Sequence, residues 1–206
     1  PEAVTPSLQS VDPSINATYY LTVENLGNKT DTFVLINLSS NDHYAVSLDK
    51  NSVSLGPGAI SADTTLYEIA ERVKMKVETI KLNVSGNEPG FCRVNVEAIS
   101  TNDLNVSDII ETWTIVQGIN NSSYDSTSII TDSALIKNSN VTDYSTVNRS
   151  AIINSTISQS TITDSIIINS EVVGTSLPRS VILEDAIVKG GYITSGTITL
   201  NGTAYE

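Results

Sequence analysis

The side chains able to carry chemistry are few and scattered. His43 is the only histidine and Cys92 the only cysteine, so the chain has no internal disulfide and no zinc-ligand spacing. His43 lies by a turn-forming stretch and reads as an exposed polar residue; Cys92, beside Phe91 and Val94, reads as a buried thiol. Asp132, Arg149, Asp164 and Arg179 recur at intervals of about fifteen residues. Stacked, they could mimic the acidic and basic groups of a polysaccharide-processing β-helix, but a structural ladder of alternating charge accounts for the same column more simply. No phosphate-cradling loop, dinucleotide fingerprint or nucleophile elbow appears. Acidic turns such as Asp103 and Asp108 lack a calcium-loop pattern. The expected set of catalytic, cofactor and metal residues is therefore empty, and the chain is expected not to be an enzyme.

The other chemistry is covalent modification. Asn-x-Ser/Thr sequons occur at Asn16, Asn28, Asn37, Asn83, Asn105, Asn120, Asn121, Asn140, Asn148, Asn154 and Asn201. A chain this rich in Asn, Ser and Thr makes some of them by accident. Several fall in expected turns or on polar faces, where an N-linked glycan could project. Glycans on some of them are the expected non-protein partners.

The elements that would carry these residues are repetitive. From Ser150 the chain can be written in rows of about fifteen residues: SAIINSTISQSTITD, SIIINSEVVGTSLPR and SVILEDAIVKGGYITSG, with a looser row from Ser133. Each row holds three five-residue units of the form small–x–aliphatic–x–polar. In a strand the small and aliphatic residues share one face. The expected inward pairs are Ser150/Ile152, Ser155/Ile157, Ser160/Ile162, Ser165/Ile167, Ser170/Val172, Thr175/Leu177, Ser180/Ile182 and Gly196/Ile198. Stacked coils bury a continuous aliphatic column that no single coil could bury alone. Four units per turn would stack Asp143, Asp164 and Glu184 about 4.8 Å apart, which is repulsive. Three units per turn instead gather Ala134, Ile136, Ala151, Ile153, Ile166, Ile168, Val181 and Leu183 on one outer face, so a three-sided parallel β-helix is expected. Extra residues fall near Asn138, Tyr144 and Gly190. The outer apolar face would span roughly 300 Å². It either packs on the preceding domain or meets another subunit. The coil ends expose unpaired strand edges, and copies could stack there.

Residues 17–118 alternate in the manner of a β-sandwich, with strands near 20–24, 32–38, 44–48, 52–55, 79–85, 90–98 and 112–116 and turn residues between them. Leu66, Ile69, Ala70 and Val73 fall at helical spacing, which predicts one short inserted helix over 64–74. Residues 1–16 carry Pro1, Pro6 and Pro13 and are expected to be extended, either as a strand of their own sandwich or as one exchanged with a neighbouring copy. Residues 119–127 read as a linker and 128–206 as the β-helix. The fold class is thus all-β: an Ig-like β-sandwich followed by the three-sided solenoid.

The segments LTVENLGNKTDTF, VSLGPG and EPGFCRVNVEAISTNDLNVSD resemble the immunoglobulin-like modules of archaeal, especially methanogen, cell-surface proteins of the CARDB/NEW3-type sandwich families. The resemblance covers about half of the chain and rests on turn glycines and strand patterns. It implies an extracellular, non-catalytic display role. The short units resemble pentapeptide-repeat proteins but place the Asp or Asn last in the unit. In shape, three-sided coils resemble bactofilin-type filament proteins, although no diagnostic motif of that family is present.

The net charge of −12 over 206 residues argues against nucleic acid, which demands a basic face. No apolar run is long enough to span a membrane. The opening Pro1-Glu2-Ala3 reads as a mature product whose leader was removed. The expected role is a structural subunit of a surface filament, sheath or layer, polymerising with copies of itself through the face or ends of the β-helix. The alternative is a monomeric adhesin that displays a glycan- or protein-binding face.

Overall fold

The computed structural model describes residues 7–39, 43–57, 76–177, 182–184, 187–192 and 199–201. Among these every regular element is a strand; the helix expected over 64–74 lies outside them. The chain divides into two units. One joins Thr18–Val84 and Arg93–Thr112; the other joins Pro1–Ala17, Ser85–Cys92 and Trp113–Glu206. This is not the linear division read from the sequence, because Ser85–Cys92 and the stretch from Trp113 group with the solenoid.

The first eight strands are β1 (Ser7–Val11), β2 (Ala17–Glu24), β3 (Asp31–Asn37), β4 (Tyr44–Leu48), β5 (Ser52–Leu55), β6 (Val77–Gly86), β7 (Gly90–Ser100) and β8 (Ser107–Val116). They form an immunoglobulin-like pair of sheets, ordered β2-β6-β4 and β1-β8-β7-β3-β5. β3 runs antiparallel to both β5 and β7, setting Phe33 opposite Val53 and Ser100. The period of two is visible in burial: Tyr19, Leu21 and Val23 are inside while Tyr20, Thr22 and Glu24 face out. Leu35, Ile80, Leu82 and Val96 complete the core. Asn25, nearly fully buried, fixes the turn after β2. Its amide donates to the carbonyls of Lys29, Leu55 and Gly56, and its Oδ1 accepts from the Gly27 N–H. A buried amide is tolerated because its hydrogen-bonding capacity is used.

The solenoid begins earlier than expected. β9 (Gly118–Asn120), β10 (Ser123–Tyr124) and β11 (Ile129–Thr131) form a first coil, so residues 119–127 are not a linker: β9 and β10 pair in parallel with β12 (Ala134–Ile136) and β13 (Asn140–Thr142). β14 (Thr146–Asn148) closes the second coil. β15 (Ala151–Ile153), β16 (Thr156–Ser158) and β17 (Thr161–Thr163) make the third. β18 (Ile166–Ile168) and β19 (Glu171–Leu177) make the fourth, with β19 turning a corner at Gly174 and pairing with both β16 and β17. β20 (Ile182–Glu184), β21 (Ile187–Tyr192) and β22 (Thr199–Asn201) follow in register. Leu135, Val141, Val147, Ile152, Ile157, Ile162, Ile167 and Val172 form one fully buried column. Each such aliphatic contributes about 1.5–3 kcal/mol by leaving water.

The corners explain the polar residues of the repeat. Each strand from β11 to β18 ends at a residue in the left-handed region, such as Asp132, Arg149, Asn154, Gln159, Asp164 and Asn169. This conformation is costly for most L-residues but least so for Asn and Asp, which is why those types fill the last place of the unit. Two corners use two such residues in succession, Lys137–Asn138 and Asp143–Tyr144. These are the extra residues of the longer second coil, taken up without disturbing the strands.

The serine after each corner points inward and is buried. Its hydroxyl donates to a carbonyl of its own corner: Ser150 to Asn148 O, Ser155 to Ile153 O, Ser165 to Thr163 O. The same oxygen accepts the N–H of the residue one coil further on: Ser133 from Ser150, Ser150 from Ser165, Ser155 from Ser170, Ser160 from Thr175. Three internal ladders of hydroxyls thus run along the coils. A small residue is needed because the hydroxyl must reach backbone on both sides within about 3 Å.

One part of the expected register is corrected. β20 pairs Ile182 with Ile166 and Leu183 with Ile167. Leu183, not Ile182, is therefore in register with Ile167, one residue away from the reading above. The interval here is one residue longer than fifteen, and a one-residue slip exchanges the two faces of a strand. Val181, Arg179, Ser180, Gly196 and Ile198 lie outside the described residues.

Candidate functional site

The candidate interface positions are where the solenoid departs most from a bare rod. Ala134, Ala151 and Ile166, stacked on β12, β15 and β18, are fully buried within the chain. Trp113 and Ile115 of β8 lie over them, and Leu8 of β1 and Phe91 of β7 pack at the edge of the cluster. The Phe91 and Trp113 rings meet edge to face, 5.9 Å apart at 87°. The chain thus covers these three positions itself. Alternation on β8 turns Trp113 and Ile115 to one side, and the small Ala134 and Ala151 leave room for the indole. Ile136, Ile153 and Ile168 stay half-buried, and Ile168 touches the same cluster. β1 is held in its own chain: the Val11 carbonyl accepts from the Gln117 N–H and Ser10 Oγ donates to Asp132 O. The described part of the N-terminal stretch is thus a strand at the end of the β1-β8-β7-β3-β5 sheet.

The charge column forms in part. Arg149 Nε and Nη2 donate to the two carboxylate oxygens of Asp164, both at 2.7 Å. The hydrogen bonds it donates to Asp164 raise the Arg149 pKa further, and the charges of Asp164 and Asp132 add to this. The guanidinium is about half exposed, so the pair contributes only about 0.2–1 kcal/mol. It clips the third coil to the second, as a structural ladder does. Asn amides repeat the device: Asn121 donates to Asn138 and Asn154 to Asn169.

Those bonds sort the sequons. The amide nitrogens of Asn105, Asn121 and Asn154 already donate within the chain. Asn83, Asn140 and Asn148 are half-buried, and Ser150, the hydroxyl residue of the Asn148 sequon, is fully buried. Asn37 is exposed and accepts from the Ser39 N–H. Asn16, Asn28 and Asn120 are exposed. Asn201 falls in β22.

His43 is exposed just before β4. Cys92 is fully buried, and burial pushes its thiol pKa up to about 11, which keeps it protonated and unreactive. Among the described residues no group of three or more His, Cys, Asp and Glu side chains could hold a metal ion, and no helix is long and apolar enough to cross a membrane.

A feature the sequence did not announce is a cavity of about 530 Å³ in the sandwich unit. Leu21, Val23, Phe33 and Leu35 line it. Polar groups gather at one end, where the Asp31 carboxylate accepts from Ser100 Oγ, which in turn accepts from the N–H groups of Asn102 and Asp103.

No protein-family model matches this sequence, and no curated protein matches it either. Among solved structures, the chain is similar to SSP-19, an MSP-domain-like protein of Caenorhabditis elegans, at 10% identity and TM-score 0.32, covering 55% of this chain and 95% of that one. It is similar to the ASH/PapD-like domain 7 of human CEP192 at 10% identity and TM-score 0.36, covering 55% and 80%. It is similar to WR4, an MSP family member of C. elegans, at 9% identity and TM-score 0.32, covering 55% and 93%. At these scores the likenesses carry no argument; the sandwich stands on its own strand order.

Proposed function

We propose that the chain is a non-enzymatic structural subunit of an extracellular filament, sheath or layer, built by copies of itself joining through the solenoid. The observation that supports this most is how the repeat spends its residues. Inward aliphatics, corner serines and left-handed Asn or Asp all serve coil-to-coil contact. A stack held only by neighbour contacts has no intrinsic last coil, and its terminal strands invite another copy. Because Trp113 and Ile115 cover Ala134, Ala151 and Ile166 of the outer apolar face, the joining surface moves to the coil ends. The resemblance to archaeal surface modules supports the extracellular setting, and the exposed Asn16, Asn28 and Asn120 are the positions where N-linked glycans would sit.

The test is electron microscopy and light scattering of the full chain over a range of concentrations. Ordered polymers or layers are expected, and a monomer at every concentration overturns the reading. Intact-mass measurement of native material tests the sugar separately: the bare 22.0 kDa polypeptide overturns it. The sandwich cavity favours a second reading, a monomeric adhesin or glycan-binding module, which the same monomer result would support.

A further inference from the structure

The first coil carries a surface that the rest of the rod hides. Backbone register places Ile119 below Leu135, Tyr124 below Val141 and Ile130 below Val147. These three therefore occupy the inward positions of their strands. The residues above them are fully buried, yet Ile119 is 45% and Tyr124 50% exposed. The aliphatic column ends in an open layer. Around it, β9, β10 and β11 each lie at the end of their sheet order, and among the described residues no strand pairs with their outer edges.

Charge sets this end apart. In a chain of net charge −12, Asp125 is the only charged residue between Gly118 and Thr131. Its carboxylate is turned to the next coil, where it accepts the Asp143 N–H at 2.8 Å. Two acidic chains can thus approach end-on here without apposing bare carboxylates.

We propose that this open base docks the base of a second copy of the chain. The contact rests on the assembly reading above and names one of its joints, since a two-fold contact closes a pair and further growth needs another surface. Any occupant has to offer apolar side chains to Ile119, Tyr124 and Ile130 while pairing backbone with strand edges on three sides of one triangle. An ordinary convex surface offers one edge at most. The same coil in a second copy offers all three, at the same spacing, around the same apolar centre. Base against base, a two-fold axis sets the apposed strands antiparallel and closes both columns.

Sedimentation equilibrium of the full chain tests this with Ile119→Lys and Tyr124→Lys. Both residues are already half-exposed, so lysine there costs the fold little, and an unchanged Tm confirms it. The expected result is self-association of the wild-type chain, weakened at least tenfold in each variant. Tyr144→Lys, at an exposed corner of the second coil, is expected to associate as the wild type does. Wild-type association that both base variants preserve overturns this contact and leaves assembly standing. A wild-type chain that never associates overturns both.

Discussion

At the scale of single residues, the solenoid is a set of hydrogen bonds to groups that would otherwise be orphaned by the corners. Asp125 is the ionised example. The Asp143 N–H, with the N–H and hydroxyl of Thr127 adding to it, stabilises the carboxylate and lowers its pKa from 3.8 to about 2. A folded value below the unfolded one means the charged form favours the fold. Its contribution is complete above about pH 4 and is lost as pH falls through about 2. Urea midpoints of the wild type should drop more steeply over that window than those of Asp125→Asn; parallel curves would refute the assignment. The inward Ser and Ile columns were legible in the sequence because they recur at a fixed interval. The doubled left-handed corners at Lys137–Asn138 and Asp143–Tyr144 were visible only as a lengthened row, because nothing in Lys or Tyr advertises that conformation. Gly118 was equally silent. Its φ of 131° and a Pro89 Cγ only 2.6 Å from where its Cβ would sit explain why no larger residue fits.

At the scale of elements, the decisive packing is β8 across β12, β15 and β18. Trp113 is the largest fully buried side chain of the described residues, and its removal leaves Ala134, Ala151 and Ile166 beneath a void. Trp113→Ala is expected to cost about 3–5 kcal/mol, read from denaturant midpoints. It should also raise dye binding by exposed apolar surface. A loss below about 1 kcal/mol would mean that the face is not held by the indole. Periodicity recovered most strands of both units, because alternation is a local signal. It could not say which element covers the apolar face, since Trp113 and Ala151 are related only through the tertiary fold. The register of β20 was missed for a related reason: one residue added to the interval pairs Leu183 rather than Ile182 with Ile167 without altering local composition.

At the scale of the whole molecule, charge opposes assembly while the base, with Asp125 as its one charged residue, permits it. Copies carrying −12 each repel over the Debye length, about 30 Å at 10 mM salt and about 8 Å at 150 mM. Self-association should therefore strengthen several-fold between those salt concentrations, followed by light scattering. Weakening with salt would point to attraction between opposite charges and away from an apolar end. The serine ladders set a further condition, one that concerns heredity. Ser150 meets Ser165 and Ser155 meets Ser170 through the same bond, an N–H donated to the hydroxyl of the coil before. Duplicating a block of fifteen codons would insert a rung that fits both neighbours. Losing one codon inside a strand would turn that strand's side chains inside out, whereas a residue added at a corner, as at Lys137–Asn138, is absorbed there. A gene for such a rod can lengthen or shorten it readily, in whole steps along the coils and in single residues only at the corners.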